Sequence, residues 1–167
     1  METFTVALFG HRKMEHLWQL DALLFPLLGR LIRQKDHVTF LIGRQGEFDE
    51  YAASLIKKAQ RAWGRETCEI VLVLPYRVAD LPYYEAYYDG IVIPDSVCGA
   101  HPKAAGALKN RWMVDAADLV IGWVERKQGG AFSAMQYGKR KNKNCIDLFA
   151  LGETNFLHAL DKETNLW

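Results

Sequence analysis

Cysteine is scarce in this chain: 167 residues hold only Cys68, Cys98 and Cys145. An odd, widely spaced set excludes a disulfide framework and offers no zinc-ligand spacing. No metal and no cofactor are expected. Cys68 and Cys145 border apolar runs and read as small core residues. Cys98 sits in a Gly/Pro-flanked loop, where an ordinary reduced thiol is favoured over a reactive one. Long apolar runs are missing too. None approaches the roughly 18 residues that span a bilayer, so no membrane partner is expected. The opening METFTVALFG lacks the charged start and long apolar stretch of a signal peptide, which points to a cytoplasmic location. Excess charge of one sign is also absent. Lys and Arg number 21 against 20 Asp and Glu, a formal net charge of +1. That balance argues against a nucleic-acid partner, because dedicated binders usually carry a basic excess.

What the chain does have is an alternation of short β-branched runs and longer amphipathic stretches. Phe4 to Phe9 reads as a strand. Glu15 to Gln34 reads as a helix, with Leu17, Leu20, Leu24, Leu27, Leu28 and Leu31 near the helical period. Pro26 inside it should kink or break it. His37 to Ile42 is a second strand, Asp49 to Trp63 a second helix and Glu69 to Leu74 a third strand. The tyrosine-rich stretch Arg77 to Tyr88 resists assignment, and Gly90 to Ile93 is a short apolar run. Pro102 suits the first turn of a helix reaching Ala116. Asp118 to Val124 is a strong strand, Ala134 to Arg140 a helix, Asn144 to Phe149 a last strand, and the tail from Gly152 to Trp167 a short helix. One domain over 1–167 is expected. Strands alternating with helices predict a three-layer α/β sandwich with a mostly parallel sheet.

Ligands of such a sheet bind outside the carboxyl ends of its strands. Three loops fall there by order: Gly10-His11-Arg12, Gly43-Arg44-Gln45-Gly46, and Gly129-Gly130 with Ser133 close behind. Glycine lets backbone N–H groups approach a ligand. Gly129-Gly130 lies between a strand and a helix, where free N–H groups and the helix dipole favour an anion. An even alternative is a turn followed by a capping box made by Ser133 and Gln136. Arg111 falls beside the helix face of Ala104 and Leu108. It either pairs with Asp115 four residues on or holds a phosphate or carboxylate. His11 is either an acid–base group or a histidine lining a polar site. The tyrosines Tyr76, Tyr83, Tyr84, Tyr87 and Tyr88 either stack on a base or pack as a surface lid, with packing favoured. The run Lys139-Arg140-Lys141 reads as a solvated helix end.

Taken together, three pieces resemble the SLOG superfamily, and its YpsA-like branch most. They are the opening strand with Gly10-His11-Arg12, LIGRQGEFDEYAA from Leu41 to Ala53, and KNRWMVDAADLVIGWVERKQGGAFSAMQYGKRK from Lys109 to Lys141. The resemblance spans most of the chain. It implies a Rossmann-like fold and a pocket for a small nucleotide or nucleotide-derived ligand, with a sensor or regulatory role. By position, the implied pocket residues are Gly10, Arg12, Gly43, Gly46, Asp49, Arg111, Gly129, Gly130 and Ser133, with His11 and Arg44 in the same loops. The superfamily also holds a DNA-processing branch and phosphoribohydrolases with a PGGxGTxxE-like loop. In this chain Gln128 replaces that proline, Phe132 the third glycine, and Met135-Gln136 stand where acids are expected. Cleavage of an N-glycosidic bond therefore remains the alternative to binding, with Glu47 or Asp49 as its only nearby acids. Catalytic residues are not assigned, and homo-oligomerisation stays open.

Overall fold

In a computed structural model, which describes residues 2–152, six parallel strands form one sheet in the order β4-β3-β2-β1-β5-β6. The strands are β1 (Thr3–Phe9), β2 (His37–Ile42), β3 (Cys68–Val73), β4 (Gly90–Val92), β5 (Leu119–Gly122) and β6 (Asn144–Asp147). The helices are α1 (Leu17–Gln34), α2 (Glu47–Trp63), α3 (Leu81–Tyr87), α4 (Pro102–Ala116) and α5 (Gly130–Arg140). The sequence reading of a Rossmann-like α/β fold holds, and every described strand pair is parallel.

Strand residues alternate between two cores because successive side chains point to opposite faces. Val6 and Leu8 of β1 join Phe40, Ile42 and Ile70 under α1 and α2. Ala7 and Phe9 join Leu41, Val71 and Val120 under α4 and α5. Both faces are covered, so the strands read as nearly continuous apolar runs.

Several local expectations are corrected. Pro26 does not break α1, which runs through it. Pro26 and Ala22, whose carbonyl loses its donor, are both exposed; water satisfies what the helix cannot. Helix α5 begins at Gly130, four residues before the expected Ala134. The capping-box alternative fails for that reason, since Ser133 sits inside the first turn. The stretch 77–88 contains α3, whose first turn holds Pro82, and a single 3₁₀ turn covers Asp95–Val97. The last strand stops at Asp147, where a helical segment starts at Leu148; Asp147 Oδ1 accepts the Phe149 N–H at 3.1 Å and turns the chain. The helix expected over the tail lies outside the described residues. Among them, no helix is long and apolar enough to cross a membrane.

Candidate functional site

Strand order reverses between β1 and β5: the chain builds outward to β4, then returns to add β5 and β6. Loops on either side of such a switch point diverge and leave a crevice. A cleft of about 520 Å³ opens there. Gly10, His11, Arg12, Gly43, Gly46, Asp49, Gly129 and Gly130 all line it. Those loops therefore share one edge of the sheet, as their positions after strands required.

The three loops do different work. The first two interlock. An added Cβ on Gly10 would enter the ring of Phe48, and one on Gly46 would meet the Arg12 backbone. Carbonyls of Arg12 and His11 accept the N–H groups of Glu47 and Phe48 at 2.8 and 3.3 Å. The start of α2 is thus capped by protein, and Glu47, Asp49 and Glu50 fill its first turn. This helix end offers nothing to an anion. Gly10 is small because the Phe48 ring packs on it, and Gly46 because the Arg12 backbone does, not because a ligand needs the space.

The third loop is open. Gly129 has φ +90°, a conformation that side chains resist, and it turns the chain into α5. No side chain caps α5. Among the described residues, nothing accepts from the N–H groups of Gly130, Ala131 or Phe132. Gly130 and Ala131 line the cleft, so a bare helix N-terminus faces it.

Lys109 reaches the same space from α4. It is 7% exposed, and the charge acting on its ammonium is that of Asp49. An added Cβ on Gly43 would stand 2.8 Å from Lys109 Nζ and 3.1 Å from Asp49 Oδ2, so Gly43 makes the room that both occupy. Burial lowers the Lys109 pKa, and the Asp49 charge opposes that shift. Burial raises the Asp49 pKa, while Lys109 and the Gln45 N–H, at 3.0 Å, pull it down. Arg12 and Arg126 stand on the rim, where they hold Gln45 Oε1 and the Lys13 carbonyl at 3.3 Å. Three cations thus surround one carboxylate in the lining.

Sequence reasoning missed Lys109 and Asn110. The inner face of α4 is Ala105, Lys109 and Met113, set at the i, i+4 spacing. Ala104 is exposed, so the face assumed for Arg111 was the wrong one. Arg111 lies roughly 200° around the helix from Lys109. It is exposed, 5.6 Å from the Tyr137 ring, and does not line the cleft. Its alternative partner Asp115 instead accepts the Tyr137 hydroxyl at 2.9 Å. Ser133 is exposed and also outside the lining. Arg44 turns away as well, donating to the Tyr84 hydroxyl at 3.2 Å.

His11 is 6% exposed. Its Nε2 accepts the N–H groups of Glu125 and Arg126 at 2.9 and 3.3 Å. It ties the first loop to the exit of β5 and needs a neutral ring to do so. Burial, then the nearby Arg126, lower its pKa below 6.5. A lowered histidine pKa contributes stability that is complete above 6.5 and is lost as pH falls below it. Melting temperature should therefore drop more steeply on acidification in the wild type than in His11→Gln, whose amide oxygen accepts but does not titrate. Parallel curves for the two proteins would remove this role.

Among the described residues, no group of three His, Cys, Asp or Glu side chains converges to hold a metal. The arrangement sets bare amides, a buried ammonium and a glycine floor around one cleft of a Rossmann-like domain. No protein-family model and no curated protein matches the chain. Among solved structures it is similar to DNA processing protein A (DprA) from Streptococcus pneumoniae, with TM-score 0.62 and 14% identity. That match covers 97% of this chain but only 57% of the other. It is also similar to DprA from Helicobacter pylori, whose structure concerns a single-stranded DNA binding mode. There the TM-score is 0.58 and the identity 15%, over 98% of this chain and 76% of that one. The fold is shared, in agreement with the Rossmann-like architecture that the resemblance implied. One expectation is overturned. A fold shared with a single-stranded DNA binder removes the case against a nucleic-acid partner, because overall charge does not report the local field of a cleft with three cations.

Proposed function

We propose that the cleft binds a nucleotide-type ligand through its phosphate, seated between the Gly130 and Ala131 amides and the Lys109 ammonium. The observation that carries this reading is the meeting, in one cleft, of an uncapped helix start with a buried cation whose neighbouring charge is Asp49. Each costs free energy when left alone, and one anion satisfies both. Oriented amides and a lysine are a recurrent phosphate cradle. The nucleotide units of single-stranded DNA belong to this ligand class, which the Helicobacter pylori neighbour supports.

Binding, rather than hydrolysis, is the role proposed. Met135 stands where the related hydrolases carry acids, and it packs in the core at 3% exposure against Gly122. Asp49 is the one carboxylate in the cleft lining. A sensor or regulatory module of the YpsA-like type fits a domain that binds without turnover. Calorimetry with deoxynucleoside monophosphates and a short oligodeoxyadenylate tests the reading. Gly130→Asp should abolish binding of all of them with the melting temperature preserved. An added Cβ there meets only Asn110 Nδ2, at 3.4 Å, while the new carboxylate repels phosphate. Absence of binding in the wild type, or unchanged affinity in Gly130→Asp, would refute it.

A further inference from the structure

Beside the main cleft runs a second, shallower groove of about 540 Å³. Arg12, Gln45 and Gly46 line both, so the two spaces adjoin across them. Their charge differs. The cleft sets Arg12, Lys109 and Arg126 against Asp49, whereas the groove sets Arg12 and Arg44 against Glu47 and Glu50. A phosphate prefers the first environment. An uncharged planar base loses nothing in the second.

Tyr76 closes the groove. Tyr83, Tyr84, Tyr87 and Tyr88 pack on one another, with ring centroids 5.0–6.2 Å apart. Packing, the reading the sequence favoured, thus holds for four of the five tyrosines. Tyr76 stands outside that cluster: its ring pairs with no other described ring, and it is 49% exposed. A large aromatic face left open beside a phosphate-type cleft suits base stacking, which tolerates any base because each has a π-face.

We infer that the ligand has two nucleoside units joined through phosphate, the first in the cleft and the second with its base stacked on Tyr76 in the groove. This rests on the proposed phosphate reading and extends it from a nucleotide to a dinucleotide or the end of a single strand. Gln45, lining both, supplies amide donors and an acceptor at the junction.

The test compares dAMP, the 5′-phosphorylated dinucleotide pdApdA and NAD⁺ by calorimetry, on wild type, Tyr76→Ala and Tyr76→Phe. In the wild type, pdApdA or NAD⁺ should bind at least about tenfold more tightly than dAMP, given the usual worth of one stacked base. The tighter of the two identifies the linkage as phosphodiester or pyrophosphate. Tyr76→Ala should weaken that ligand roughly 5- to 100-fold and leave dAMP unchanged, while Tyr76→Phe retains wild-type affinity. Two-unit ligands no tighter than dAMP would overturn the inference, as would Tyr76→Ala acting on dAMP equally or on nothing. If dAMP still binds in a manner sensitive to Gly130→Asp, the cleft reading survives that failure. If no probe binds, the cleft reading falls as well.

Discussion

Lys109→Met should lose nucleotide phosphate binding by roughly 10- to 100-fold, the span expected for one hydrogen bond to a charged group. Its melting temperature should stay close to that of the wild type. Lys109 is almost wholly inaccessible, and the charge acting on its ammonium is that of Asp49. Burial disfavours that ammonium. An unbranched apolar side chain of similar length keeps the contacts of the lysine stem and removes the desolvated charge. Opposing this, Asp49 loses the cation that stabilises its ionised form. The two changes offset one another in the free protein but not in the complex, where phosphate has lost its cation. A second readout follows from the lowered lysine pKa. Affinity should decline as pH rises through a value below the ordinary 10.5 of lysine, and that decline should vanish in Lys109→Met. Arg111→Ala is the control, since Arg111 stands on the outer face of α4. Affinity lost with Arg111→Ala and kept with Lys109→Met would reverse the assignment made from the helix geometry.

That contrast also marks where the sequence was legible. The strand–helix alternation predicted the parallel sheet, because period-two and period-3.6 patterns follow from backbone geometry. The shared edge for Gly10, Gly43 and Gly129 followed from strand order alone. The facing of α4 did not. Its apolar residues form no clean stripe, so the sequence pointed to Ala104 and Leu108, whereas Ala105, Lys109 and Met113 are buried. A lysine on an inner face counts against that face in any hydrophobic reading, although the proposed phosphate site gives it a role. The start of α5 was read four residues late for a related reason. Glycines lower helix propensity, yet here Gly130 opens the helix, and its amide is left free for the cleft. The tyrosine segment was illegible in another way. Five aromatic residues announced a cluster, but only the coordinates separate Tyr76 from the four that satisfy one another.

Gly10→Ala should be among the most destabilising single-methyl additions this chain can receive, at about 3 kcal/mol, the upper end for overpacking a filled core. For a domain of this size that is a fall in melting temperature of about 6–12 °C. The backbone at Gly10 is not strained; the reason is the ring of Phe48, fully buried in the first turn of α2. An added methyl would overlap its Cγ. The ring has little freedom to retreat, because carbonyls of Arg12 and His11 pin the start of α2 against the same loop. Relief must come from moving the loop or the helix. Either movement displaces Asp49, the residue after Phe48, and Gln45, three residues before it, both in the cleft lining, so ligand affinity should fall with stability. Shrinking the obstacle tests the mechanism. Phe48→Leu costs stability alone, but in the Gly10→Ala background it should cost less than alone, because the methyl then fills part of the space vacated by the ring. Thermal denaturation of the two single variants and the double variant gives that coupling directly. Strict additivity, or a Gly10→Ala protein melting with the wild type, would mean that the two loops are not locked together by this contact.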